Sequence, residues 1–352
     1  MRAFVYNAQP SRVIFRAGAL DDLEREIERL GSHRALVLST PEQRASAEGI
    51  SIRLGRRSAG VFDKAVMHVP IETAEEARAV AKAANADCCV AVGGGSTIGL
   101  GKAIALTSDL PILAIPTTFA GSEMTPIYGI TERGQKKTGR DARVLPKTVL
   151  YDPLLTMTLP AKVAGPSGMN AIAHCVEALY AQDANPITSL MAEEGIHTLA
   201  SSLPRVVGKP DDIAARTDAL YGAWLAGACL GNVGMALHHK LCHTLGGTYH
   251  LPHAETHTVI LPHAVHYNRD AAPKAMVRIT LALEGADPAA GLYDLAKAIG
   301  APLALRDLGM PESSLDEAAQ LATLNPYYNP RPIERAGIRQ LLQDAWEGNR
   351  PG

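Results

Sequence analysis

The alternation of strand and helix signals stops near residue 151, and this break constrains the fold more than any other feature of the chain. Before it, residues 34–39 and 65–69 read as short apolar strands and 74–84 as an Ala/Glu/Lys-rich helix. Residues 88–92 form a continuous apolar strand, 96–107 a helix, and 111–116 and 148–151 two more strands. Strands that are apolar on both faces and separated by helices belong to a parallel sheet covered on both sides. After Asp152 and Pro153 the strand signals fade. Residues 167–181, 187–203, 210–229, 233–247, 273–284, 288–299 and 334–347 then carry helix-period apolar spacing, with Pro and Gly between the runs. A chain of 352 residues is too long for one core and suits two domains. The expected fold is an α/β N-terminal domain over residues 1–155 and an all-α C-terminal domain over residues 156–352.

Gly93, Gly94, Gly95 and Ser96 follow the 88–92 strand and open a helix. Glycines let a backbone approach a ligand, and a helix N-terminus offers unpaired N–H groups and a partial positive charge, so the turn reads as a phosphate site. The spacing differs from the usual Gly-x-Gly-x-x-Gly fingerprint. Lys102 lies two turns down the same helix, and Thr117, Thr118 and Ser122 follow the next strand, where strand carboxyl ends line the ligand crevice of an open sheet. Ser39 and Thr40 end the 34–39 strand, where a protein selective for NAD often carries an acid to hold the ribose 2′-hydroxyl. No acid occupies that position, so NADH and NADPH are both expected as cofactors.

Eight of the 12 histidines fall between positions 238 and 266. Asn170 and His174 are spaced i,i+4, as are His239 and His243, so on helices each pair shares a face. His253 follows a glycine pair read as a turn, and His238 is turned about 100° away from His239. Two such helices aim Asn170, His174, His239, His243 and His253 at one point. With an aspartate at position 170 the set would suit Fe(II) or Zn(II). With asparagine the anionic ligand is missing. At 4 Å and an effective dielectric near 20, that charge pair with a dication is roughly 8 kcal/mol before desolvation offsets it. The same change favours an anionic substrate, and no metal is expected.

The net charge of −2 gives no argument for nucleic acid or an anionic membrane surface. No apolar run approaches the roughly 20 residues of a membrane span, and residues 1–6 lack the apolar stretch of a signal peptide. The five cysteines form no zinc-type spacing and read as reduced thiols, which fits a cytoplasmic location.

Taken in order, these motifs resemble the iron-containing (group III) alcohol dehydrogenase superfamily. A GGGS turn, a PTT segment, an Asp-xxx-His pair, a His-xxx-His pair and a Pro-His run occur there in the same sequence. Residues 62–70, 93–102, 128–132, 136–140, 167–174 and 329–332 are most similar to the maleylacetate reductases of that superfamily. Asn170 stands in place of the acidic ligand, and Gly99 where the alcohol dehydrogenases carry an Asp in the phosphate-turn helix. Both departures agree with the reductase branch.

The resemblance implies a Rossmann-like parallel sheet followed by helices, the architecture also found in dehydroquinate synthase, with the active site in the cleft between the domains. It implies NAD(P)H-dependent reduction of the C=C bond of maleylacetate to 3-oxoadipate, late in aromatic-ring degradation, by a homodimer. The substrate is a small dicarboxylate, and Lys136, Lys137, Arg140 and Arg331, read as loop residues, are available to its carboxylates. His243 and His253 are the candidate proton and hydrogen-bond donors. Two other readings compete: a metal-dependent alcohol or polyol dehydrogenase that accepts Asn as a ligand, and a nucleotide-binding protein without redox activity.

Overall fold

A computed structural model describes residues 4, 6–9, 11–133, 135–324 and 327–352. Two compact units divide the chain, the first spanning Ala8–Leu159 and the second taking in Pro160–Gly352.

The first unit is built on six parallel strands: β1 (Arg12–Phe15), β2 (Ala35–Leu38), β3 (Ser58–Phe62), β4 (Cys88–Gly93), β5 (Ile112–Pro116) and, last in the chain, β8 (Thr148–Tyr151). Their order across the sheet is β1-β8-β5-β4-β2-β3. Side chains alternate between faces as the pleat requires. Val37, Val90 and Val92 pack with Leu23, Ile27 and Ile50, while Leu36, Leu38 and Cys89 pack with Ala74, Ala77 and Leu100 on the other side. The helices that supply these partners are α1 (Leu23–Arg29), α2 (Arg44–Leu54), α3 (Ile71–Ala83) and α4 (Gly95–Ser108). An antiparallel hairpin, β6 (Ile127–Glu132) and β7 (Gln135–Arg140), lies between β5 and β8 in the chain.

One expectation for this unit changes. Residues 65–69 are no strand; the strand is β3, and His68 and Val69 have φ of 66° and 45°, in the left-handed region. Direction reverses in the sheet at β2 and β4, whose outgoing connections lead to opposite sides. That is the topological switch point, where open α/β sheets bind ligands beyond the strand ends.

The second unit is helical: α5 (Ala161–Tyr180), α6 (Pro186–Gly208), α7 (Ile213–Asn232), α8 (Leu237–Tyr249), α9 (His253–Asn268), α10 (Pro273–Ala282), α11 (Pro288–Ala298), α12 (Leu315–Thr323) and α13 (Arg335–Glu347). Every residue of α5 from Ala164 to Tyr180 is buried, and a helix apolar all round is a core helix. It packs on α6, α7 and α9. The glycine pair at 246 and 247 makes no turn: α8 runs through it and stops at His250, which takes the left-handed cap with φ 56°. Among the described residues no single helix is long and apolar enough to cross a membrane.

Candidate active site

In the first unit the ends of β2 and β4 lie side by side, through the pairing of Leu38 with Ala91. Gly93 has φ 148°, and a Cβ there would come 2.6 Å from both Gln43 Oε1 and Thr97 Oγ1. At Gly94 a Cβ would meet Thr118 Oγ1 at 2.9 Å. These two glycines are therefore required by the protein's own packing. Gly95 differs. It is the exposed first residue of α4, and a Cβ there would meet nothing within 4 Å. The open space beyond the helix N-terminus is what a phosphate needs.

Thr117 is buried and accepts a hydrogen bond from Gln43 Nε2 at 2.8 Å, while Thr118 and Ser96 are half-buried. Ser39 is fully buried, and half-buried Thr40 precedes the short turn Pro41–Gln43. Sequence reasoning missed a carboxylate at this point. Glu42 accepts from its own backbone N–H and from the Thr40 hydroxyl, which hold its pKa below the usual carboxylate value. A negative charge thus stands beside Thr40 even though position 40 carries none.

Lys102 departs from its expected role. Its side chain is buried, and Nζ donates to Ser122 O at 2.7 Å, Thr125 Oγ1 at 2.8 Å, Ile127 O at 2.8 Å and Ser122 Oγ at 3.2 Å. Burial pulls its pKa down to about 7, against the attraction of Glu123. An ammonium has three donors, all consumed by these acceptors. Lys102 is a strut for the segment 122–127, which also occupies Ser122. Gly99 has a packing reason as well, because a Cβ there would sit 2.9 Å from Val69 Cγ2.

In the second unit the histidines come from three helices. Asn170 and His174 share one face of α5, and both are buried. His239 of α8 stacks on His174 with ring centroids 5.0 Å apart. His243 follows one turn later, 6.1 Å from His239, and is exposed. His253, also exposed, begins α9. The expected five residues do converge, although on three helices rather than two.

Three buried polar atoms in this group have no hydrogen-bond partner among the described residues: Asn170 Oδ1, His174 Nδ1 and His239 Nε2. Burial pushes the His174 pKa well below its usual value, with His239, His253 and His243 adding repulsion, so this ring is neutral. The residue that organises the group is Glu177, which sequence spacing did not reveal. Its Oε2 accepts His239 Nδ1 at 2.8 Å and the Ala236 N–H at 2.7 Å, and its Oε1 accepts the His238 N–H at 2.7 Å. The only signal was its place on α5, one turn after His174 and two after Asn170.

His239 therefore gives its Nδ1 proton to Glu177 and turns Nε2 toward the site. A carboxylate behind a histidine is an arrangement that orients metal ligands and equally one that stabilises an imidazolium. The donors themselves decide between these uses. They are an amide oxygen and imidazole nitrogens, and among the described residues the nearest carboxylate, Glu177, sits behind His239. This set does not fit a tightly held divalent iron. A second buried trio, His238, Cys242 and His257, lies alongside: His238 Nε2 bonds His257 Nδ1 at 2.9 Å, and Cys242 Sγ is 3.8 Å from the same Nε2.

The basic candidates are placed differently from expectation. Lys137 and Arg140 are on β7, not on loops, and Lys137 pairs with Glu132. Lys136 is on the same strand, and its side chain lies outside the described residues. Arg331 stacks over the Tyr267 ring at 4.1 Å and donates to the Tyr267 carbonyl. It helps fix the segment 327–332, whose Asn329 exchanges amide hydrogen bonds with Asn268. Asn325 and Pro326 of the same proline-rich piece lie outside the described residues.

Residues 10–153 match the family described as iron-containing alcohol dehydrogenase, and residues 165–346 match the C-terminal part of the Fe-containing alcohol dehydrogenase family. Maleylacetate reductase of Burkholderia cepacia is 60% identical over 351 residues, with all of both chains covered. Maleylacetate reductase of Sphingobium indicum is 58% identical, with 99% of each covered. The crystal structure of maleylacetate reductase from Rhizobium sp. strain MTP-10005 superposes with a TM-score of 0.97 at 52% identity, covering 100% of both chains.

Proposed function

This chain belongs to the iron-containing alcohol dehydrogenase family, and we propose that it is an NAD(P)H-dependent reductase that converts maleylacetate to 3-oxoadipate without a metal. The identities of 58–60% to maleylacetate reductases over the full length support the substrate. The observation that carries the chemistry is Asn170, a buried amide on the same face of α5 as His174, whose ring stacks on His239. An anionic substrate meets an amide rather than a carboxylate at position 170, and amide and imidazole N–H groups can donate to it.

A nicotinamide cofactor held at the Gly95 helix start would supply a hydride to the alkene carbon β to the ketone. The C=C electron pair moves toward the carbonyl, and an enolate oxygen develops. Donors aimed at that oxygen lower the barrier. A proton then reaches the α carbon, regenerating the ketone. His243 and His253 are assigned to this donation, being the exposed histidines of the group. Glu177 fixes the His239 ring through Nδ1 and leaves its Nε2 facing the site. The N-terminus of α9, which begins at His253, carries a partial positive charge suited to a substrate carboxylate.

For the cofactor, the space beyond Gly95 takes the pyrophosphate, and Thr117 and Thr118 stand at the neighbouring strand end. The deciding experiment follows NADH oxidation with maleylacetate and with simple aldehydes, identifying the product. Stoichiometric 3-oxoadipate from maleylacetate, with aldehydes inert, supports the reductase. Turnover of aldehydes alone would make the chain an alcohol dehydrogenase.

A further inference from the structure

His257 stands outside the residues that sequence spacing singled out, yet it is fully buried in the middle of the histidine group. Its ring centroid is 4.3 Å from that of His253, 5.0 Å from His239 and 6.5 Å from His243. Its Nδ1 is bound to His238 Nε2 at 2.9 Å, and its Nε2 has no hydrogen-bond partner among the described residues.

One proton lies between the two rings, and its owner follows from Cys242. The thiol sulfur is 3.8 Å from His238 Nε2, the same atom that meets His257. An imidazole N–H can be shared between two acceptors, here His257 Nδ1 and the sulfur. A single ring lone pair cannot receive two donors in good geometry. The arrangement in which both contacts form puts the proton on His238 Nε2. Burial keeps both rings neutral, so His257, accepting at Nδ1, holds its own proton at Nε2.

The alternative use of the trio is a zinc site. Two nitrogens bound to one tetrahedral zinc at the usual bond lengths stand about 3.3 Å apart. The observed 2.9 Å is a hydrogen-bond distance. We propose that His257 is a further substrate-binding residue, an uncharged Nε2–H donor to an oxygen of the dicarboxylate, and that His238 is the positioning residue that fixes its tautomer. This rests on the histidine group being the substrate site of the reductase. It also explains two buried histidines and a thiol that the hydride-transfer step leaves unused.

The test replaces His238 with Gln, whose amide can donate from nearly the same point, and with Phe, which keeps the ring and loses the donor. His257→Phe is the third variant, and circular dichroism checks each fold. His238→Phe and His257→Phe are expected to raise KM for maleylacetate at least ten-fold with KM for NADH unchanged, and His238→Gln to stay within three-fold of the parent. Equal loss in the Gln and Phe variants, or KM within two-fold in both Phe variants, overturns the proposal. Histidine-selective nitrogen NMR on the unsubstituted full chain reads the tautomer without any variant. A proton on His257 Nε2 and a shift of that resonance on adding adipate are expected; a proton on Nδ1, or no shift, overturns it. If adipate shifts the resonance while maleylacetate is not reduced, the reductase reading fails and the donor stands.

Discussion

Glu177 and His239 are joined by a 2.8 Å hydrogen bond between Oε2 and Nδ1, and the same carboxylate accepts the backbone N–H groups of Ala236 and His238. One buried side chain of α5 thus sets the ring orientation of a site histidine and anchors the start of the helix that carries it.

Replacing Glu177 separates these two roles. Glu177→Gln keeps one oxygen for His239 and the Ala236 N–H, removes the charge, and turns its NH2 toward the His238 N–H. Removing such a supporting partner typically costs about 10- to 100-fold, and kcat should fall in that range with a smaller drop in the unfolding midpoint than Ala causes. Glu177→Ala also strands two buried N–H groups at about 1–3 kcal/mol each, so it should lower the denaturation midpoint as well. Native kcat in Glu177→Gln would show that His239 needs no charged partner.

The exposed histidines bear on the enolate. Loss of an oxyanion donor typically reduces kcat by about 10²–10³, and His243→Ala and His253→Ala should each fall near that range. Asn170→Ala is expected to be milder, because a neutral amide contributes one or two ordinary hydrogen bonds. Steady-state kinetics with a folding control measures all three. Near-native kcat in both histidine variants would make the group structural.

The cofactor half makes a prediction about selectivity. Gly95→Val adds a side chain where the protein leaves space, so the fold should survive and KM for NADH should rise sharply. Glu42 places its charge against Thr40, which would repel a ribose 2′-phosphate at this strand end. Glu42→Gln should therefore improve kcat/KM for NADPH relative to NADH. An equal change for both cofactors would remove Glu42 and Thr40 from the ribose site.

Acid should destabilise the fold through its buried rings. His174, His238 and His257 are held well below the ordinary 6.5 by burial, and His263 is brought down to about 4. As pH falls through 6.5 the unfolded chain binds protons that these native rings refuse, so ν is larger in the unfolded state and stability drops. The contribution is complete above that pH and falls by up to about 1.4 kcal/mol per pH unit for each ring below it. Urea unfolding between pH 7 and pH 5 checks the direction; a free energy that stays level or increases toward pH 5 would contradict it.

The sequence was most legible where periodicity and burial agree. The buried strands at 35–38, 88–93, 112–116 and 148–151 and the apolar helix α5 were visible as runs of one character. Other elements depend on partners far along the chain. β1 is a four-residue strand that exists by pairing with β8, and the polar strand β7 exists by pairing with β6. Helix α9 was hidden because four histidines and Pro262 interrupt its apolar pattern. Asn170, His174, His239, His243 and His253 were found through their i,i+4 spacing and the family resemblance. Glu177 carries no motif of its own, and the roles of Lys102 and Glu42 follow from where a loop folds back, which local spacing does not record.

The metal-free reading of the site stands or falls on activity after chelation. The enzyme should be exhaustively chelated, analysed for bound metal, and assayed for NADH oxidation with maleylacetate. No stoichiometric iron or zinc and unchanged turnover are expected, and Asn170→Asp, which supplies an anionic oxygen, should bind Fe(II) or Zn(II) orders of magnitude more tightly. Loss of most activity on chelation, recovered on adding Fe(II) or Zn(II) to the unsubstituted chain, would contradict the metal-free reading.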